Sequence, residues 1–375
     1  MSASTERIMM VGVVMLWVTS LSWSAPATSQ TLDIGDKAPD FNLPGIDGRR
    51  YTLRDFSKAD ILVVVFTCNH CPTAQAYEER IKKLAADYRN RGVALVAISP
   101  NDPRAVRLDE LGYSDLGDSF EEMKIRAEDM AYNFPYLYDG EEQKISRAYG
   151  PQRTPHVFIF DKQRTLCYEG RIDDSEKPQR VKSRDARRAI DALLAGRNVP
   201  AARTPTIGCS IKWSSKRESA QKAFENWAKE PVTVEMIDVK RIEKLIRNDS
   251  GKLRVITIWA SWSGPSVEQL AEFVTMNRMY RRRDFELITI NIDSPKRKDK
   301  VLSILKQQQA SCWNYMFDSE DEYPLMAAVD KELLGGIPYT MIVQPGGDVI
   351  CRRLGVVDPL ELKKTVVGYL GRYYK

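Results

Sequence analysis

The feature that most constrains this chain is one junction: the apolar run Ile61–Phe66, then Cys68-Asn69-His70-Cys71-Pro72, then a helical repeat. An unbroken apolar strand needs cover on both faces, which a parallel or mixed sheet with flanking helices supplies. Tyr77, Ile81, Leu84 and Tyr88 then recur at spacings of four, three and four, giving the following helix one apolar face. Downstream come a second buried strand over 93–98, a polar stretch over 101–149 with a helical pattern near 120–132, and Thr154-Pro155. Strands over 157–160 and 166–171 and a helix over 184–194, ended by Gly196, complete the unit.

The same order returns. A strand over 254–260 leads into Ser261-Trp262-Ser263-Gly264-Pro265-Ser266 and a helix carrying Leu270, Phe273, Val274 and Asn277. A strand over 285–291, a helix around 301–305, Ile337-Pro338, strands over 339–343 and 349–353 and a helix over 360–370 follow. This is a duplication of architecture, and 375 residues suit two domains. The expected division is residues 34–197, a linker over 198–233 rich in Pro, Ala and Thr, and residues 234–375.

The N-terminus reads as a secretory signal over residues 1–27: Arg7, an apolar run over 8–18, and Ala25-Pro26-Ala27. That run is shorter than the ~20 residues a spanning helix needs. The expectation is therefore an exported, periplasmic or extracytoplasmic protein, held at a membrane only if the segment stays uncleaved. The net charge of +5 is small and its basic residues are interleaved with acidic ones, which excludes a nucleic-acid footprint.

Export places six cysteines where disulfides persist: Cys68, Cys71, Cys167, Cys209, Cys312 and Cys351. The close pair reads as chemistry. Free N–H groups and the dipole at a helix N-terminus favour a thiolate on the first cysteine, so Cys68 is expected to attack and Cys71, one turn on, to resolve. An imidazolium at His70 would stabilise that thiolate and make the disulfide more oxidising. No cofactor is required. His156 follows Pro155, and strand alternation leaves open whether it faces the site.

The first unit resembles the redoxin (AhpC/TSA, peroxiredoxin-like) branch of the thioredoxin superfamily. The residues that carry this are Ala38-Pro39-Asp40-Phe41, the strand into Cys68-Asn69-His70-Cys71-Pro72, Arg153-Thr154-Pro155 and Gly208-Cys209-Ser210-Ile211-Lys212-Trp213. The second unit resembles TlpA/ResA-like thioredoxins. The resemblance implies an α/β chain of two thioredoxin-like domains, each a central mixed sheet flanked by helices. It also implies a substrate groove walled by Thr154 and a cis Pro155, where the Thr154 backbone pairs with a bound peptide. Partners would be protein or small-molecule thiols and disulfides, with a redox partner of unknown identity.

Peroxidase chemistry needs P-x-x-x-T-x-x-C. Counting back from Cys71 places Cys68 and Val64 at the Thr and Pro positions; counting back from Cys68 places Val65 and Ile61 there. Both registers fail, so disulfide exchange is the expected reaction and a peroxiredoxin-like peroxidase the alternative. Copper or zinc handling at Cys68, His70 and Cys71 is a second alternative, although the cysteine spacing is one residue short of the copper-carrying relatives of this fold. In the second unit Ser263 and Ser266 stand where Cys68 and Cys71 do, and Pro338 where Pro155 does. Hydroxyls cannot exchange disulfides, so this site is degenerate and its domain is expected to bind or to brace. Cys209 is a candidate accessory thiol: a relay to Cys68 and Cys71, a structural half-cystine or a packed side chain.

Overall fold

The run Ile61–Phe66 forms strand β3, and its alternate residues point into two different cores. Ile61, Val63 and Val65 pack with the helices on one face, while Leu62, Val64 and Phe66 pack with Leu43, Tyr51 and Tyr149 on the other. In this computed structural model, residues 30–330 and 336–374 are described. The expected signal over 1–27 lies outside them. Among the described residues no helix is long and apolar enough to cross a membrane.

In chain order the first domain comprises β1 (Asn42–Pro44), β2 (Arg50–Thr52), β3 (Ile61–Phe66), α1 (Pro72–Tyr88), β4 (Val93–Ser99), α2 (Phe120–Asp129), β5 (Tyr136–Tyr138) and α3 (Lys144–Tyr149). It continues with β6 (Arg153–Thr154), β7 (His156–Phe160), β8 (Leu166–Gly170) and α4 (Asp185–Leu194). Its sheet runs β5-β4-β3-β7-β8, with β3 parallel to β4 and antiparallel to β7.

The segment over 198–233 is more than a linker. It carries β9 (Cys209–Ser210) and α5 (Arg217–Ala228). Ile211, Lys212, Ala220 and Trp227 are buried, so the segment packs as part of the fold. Its Pro, Ala and Thr content concealed this, because α5 buries only a narrow stripe against its neighbours.

The second domain holds β10 (Glu235–Ile237), α6 (Val239–Arg247), β11 (Leu253–Trp259), α7 (Gly264–Tyr280), β12 (Phe285–Asn291), α8 (Lys298–Gln307) and β13 (Trp313–Phe317). It closes with α9 (Tyr323–Val329), β14 (Tyr339–Val343), β15 (Val349–Leu354) and α10 (Pro359–Leu370). Its sheet order, β10-β13-β12-β11-β14-β15, repeats the first sheet and adds β10 at one edge. Both Thr154-Pro155 and Ile337-Pro338 are cis, at equivalent places in the two sheets.

The domains meet along the loop that links β4 to α2. Leu108 and Leu111 pack against the core of the second domain beside α7. The Tyr280 hydroxyl donates to the Ser114 carbonyl at 2.8 Å, and the Arg283 guanidinium to the Gly112 carbonyl at 2.9 Å. The chain's last turn returns to the same loop. Arg372 forms two bonds to the Asp115 carboxylate, at 2.6 and 2.9 Å, and the Tyr374 ring sits edge-on to Tyr113 at 5.0 Å.

Candidate active site

Pro72 begins helix α1 because its missing N–H costs nothing in a first turn, and the residue before it becomes the N-cap. That residue is Cys71. Its sulfur accepts the Ala74 N–H at 3.4 Å and lies 3.4 Å from the Thr154 carbonyl. Cys68 sits one turn earlier, its sulfur 3.2 Å from the Thr154 hydroxyl. Both sulfurs are buried, and Cys209 packs against the pair and Ala74.

The helix therefore corrects one expectation. Free N–H groups are at Cys71 rather than Cys68, since the helix starts after the second cysteine. Burial pushes the Cys71 thiol up, but hydrogen bonds from Cys209 and Cys68, the His70 charge and the Ala74 N–H outweigh it and hold the thiol well below its usual range. Burial and the neighbouring Cys71 sulfur push Cys68 well above its own. Of the two, Cys71 is the thiol whose ionisation its surroundings favour, and Cys68 the one they oppose.

The imidazole of His70 is held toward its protonated form by Asp118, a residue that no local pattern marked. Burial pushes the imidazole down, but the Asp118 charge and a 2.5 Å contact from Nδ1 to its carboxylate raise the pKa. Burial likewise pushes Asp118 up, and the His70 charge with several hydrogen bonds brings it below the usual range. Those donors are Asn101 Nδ2 at 2.7 Å, the Asn69 N–H at 2.9 Å and the His70 N–H at 3.1 Å. Asp118 lies 48 residues from His70 and is carried by the interdomain loop. Sequence spacing holds no signal for it.

His156 faces elsewhere. Its Nδ1 accepts the Gln152 N–H at 3.2 Å and its Nε2 meets Glu169 at 2.8 Å, so neither ring nitrogen serves the cysteines. Donor atoms of Cys68, His70 and Asp118 lie within 4.8 Å of one another, a set that could hold a soft or borderline metal ion. In the second domain Ser263 caps α7 and receives a hydrogen bond from Ser266 at 2.9 Å. The frame is kept there without sulfur. Ser263→Ala is expected to leave thiol exchange by the full chain unchanged within about 2-fold, because surface changes away from a site rarely matter more; a larger loss would give this domain a chemical part. Cys312 and Cys351 pack beside the second core, and Cys167 lies on β8. All six cysteines are free thiols.

A dithiol at a helix N-terminus beside a cis-proline, on a mixed sheet flanked by helices, is the arrangement of a thioredoxin-like fold. Residues 34–169 match the AhpC/TSA family. It is 23% identical over 168 residues to the thiol-disulfide oxidoreductase ResA of Geobacillus thermodenitrificans, covering 43% of this chain and 85% of the relative. An uncharacterized conserved protein from Geobacillus kaustophilus is similar at 40% identity, with 48% of this chain and 93% of that chain covered and a TM-score of 0.44. A hypothetical protein from Sinorhizobium meliloti 1021 is similar at 36% identity, with 50% and 98% covered and a TM-score of 0.44.

Proposed function

We propose that this chain is an exported thiol–disulfide oxidoreductase in which Cys68 and Cys71 form the working dithiol–disulfide couple. The observation that carries this is the Cys71 sulfur at the N-cap of α1, accepting the Ala74 N–H, with the Cys68 thiol packed beside it. The Cys71 thiolate attacks one sulfur of a bound disulfide, and the first substrate thiolate leaves and takes up a proton. Cys68 then gives up its proton and attacks the Cys71 sulfur, closing the Cys68–Cys71 bond and expelling the second substrate thiol. The reverse sequence oxidises a dithiol. A thiolate stabilised by imidazolium favours the reduced protein, which supports the oxidising direction.

The substrate is a protein or small-molecule thiol or disulfide, and a separate redox partner resets the couple. The second domain takes no part in exchange; its support of the loop that carries Asp118 favours a bracing role. Reduction of a small aromatic disulfide and of insulin by the full chain tests the reading. Cys71→Ser is expected to abolish both activities, and Cys68→Ser to halt turnover after one attack, leaving the substrate as a mixed disulfide on Cys71. Full activity in Cys71→Ser would sink the proposal, and rapid peroxide consumption without disulfide exchange would move the assignment to the peroxidase alternative. The triad Cys68, His70 and Asp118 keeps the metal reading in play. Anaerobic titration with Cu(I) and Zn(II) decides it, stoichiometric uptake lost in Cys68→Ser being the supporting result.

A further inference from the structure

The residue before a cis-proline in a thioredoxin-like site offers a short backbone edge to which an incoming peptide can add as a strand. Here that edge is already taken by the chain itself. Strand β9 runs antiparallel to β6, with Ser210 opposite Arg153 and Cys209 opposite Thr154. Arg153 reaches across to donate to the Gly208 carbonyl at 2.8 Å. Gly208, at φ +140, comes so close that a Cβ there would stand 2.0 Å from the Thr154 carbonyl oxygen. Only glycine permits that approach.

The segment is fastened on its far side as well. The Lys212 N–H donates to Asn101 Oδ1 at 2.8 Å, and its carbonyl accepts from the Asp102 N–H at 2.9 Å and from Gln143 Nε2 at 2.8 Å. The Lys212 ammonium pairs with Glu110 at 2.6 Å. Held at both ends, Cys209 presents its thiol to the Cys71 sulfur, with the Tyr374 hydroxyl as its other neighbour. Cys71 thus has a thiol on either side, Cys68 from its own loop and Cys209 from β9.

We propose that Cys209 is a third redox-active thiol, presented as a built-in substrate strand, which converts the Cys68–Cys71 disulfide into a Cys71–Cys209 disulfide and a free Cys68. The proposal rests on the exchange chemistry given above and extends it. In the step, the deprotonated Cys209 sulfur attacks the Cys71 sulfur and forms the new S–S bond. The bond to Cys68 breaks, its electron pair leaves on Cys68, and Cys68 takes up the proton that Cys209 released. One disulfide and one thiol enter and the same leave, so no external oxidant or reductant is consumed.

The order of events follows from the charges. The interaction with the Cys71 sulfur, more than burial, holds the Cys209 thiol above its ordinary range. Once Cys71 is oxidised that cause is gone, while Lys212 continues to favour the Cys209 thiolate. Closing the first disulfide therefore makes the Cys209 proton easier to remove and leaves Cys209 packed against the bond it is to attack.

Disulfide mapping of the full chain tests this. The reduced protein is oxidised with oxidised glutathione, which supplies the two-electron step, then acid-quenched, alkylated and digested without reduction for mass spectrometry. The wild type is expected to yield both Cys68–Cys71 and Cys71–Cys209 peptides. Cys68→Ser is expected to yield Cys71–Cys209, with loss of the Cys209 thiol to alkylation, and Cys209→Ser to yield Cys68–Cys71 alone. The proposal is overturned if the wild type gives only Cys68–Cys71 and Cys68→Ser leaves Cys209 alkylated beside a glutathionylated Cys71. If Cys209→Ser also fails to form Cys68–Cys71, the exchange reading itself has failed, and the two failures are thereby told apart.

Discussion

Asp118→Asn is expected to destabilise the chain by about 3–5 kcal/mol near pH 6 and to move the onset of thiol reactivity to higher pH. Asp118 is buried and accepts four hydrogen bonds, two of them from His70. An amide keeps the shape and loses the charge, which leaves an imidazolium buried without its counter-ion. The ring then sheds its proton, and the Cys71 sulfur loses one of the charges that hold it as a thiolate.

The pH dependence has two limbs. The folded pKa of Asp118 is lowered, so its contribution is present above the unfolded value of about 3.9 and is lost as pH falls through the folded value. That of His70 is raised, so its contribution is complete below about 6.5 and is lost as pH rises through the folded value. The wild type should therefore exceed the variant most between about pH 3.9 and about 6.5, where both contributions are complete, and least at the extremes. Urea unfolding of both proteins across that range is the measurement. Equal stability near pH 6 would remove the ion pair from the account.

Gly208→Ala is the second large effect, about 3 kcal/mol of lost stability, from a strained φ together with a methyl group driven into the Thr154 carbonyl. Because the contact atom is backbone, it cannot swing aside as a side chain would. The expected relief is separation of β9 from β6, which draws Cys209 away from Cys71. Alkylation of the reduced protein should then label Cys209 faster than in the wild type, while Cys68 and Cys71 keep their mutual exchange. Unchanged stability together with unchanged labelling would show that β9 does not hold Cys209 in place.

These two variants also mark where sequence reading succeeds and where it stops. The strand Ile61–Phe66, the helix after Pro72 and both X-Pro steps were legible because each is encoded in neighbouring residues by apolar runs, helical spacing and proline. The duplication was legible for the same reason, since the order of elements repeats even though the cysteines do not. Less was visible where a pattern is short or diluted. Helix α5 hid inside an expected linker, β10, β13 and α9 are too short to show a period, and α6 spans only nine residues although Val239, Ile242 and Ile246 recur at helical spacing. Asp118 and Asn101 are ordinary polar residues until the fold carries them to His70.

The opening junction therefore carries two kinds of information. By itself the sequence determined that a dithiol lies between a buried strand and a helix and that a second unit repeats the frame with serines; that Thr154 and a cis Pro155 stand beside the dithiol was implied by the family resemblance. The first two are local statements, and local sequence encodes them. Which thiol ionises more readily depended on where α1 begins and on His70, whose pKa is raised by Asp118 arriving from a loop braced by the other domain. That Cys209 stands beside Cys71 depended on a backbone approach only glycine allows. Thiolate stability and sulfur contact vary over a few ångströms, and only the packing of distant segments sets distances that short.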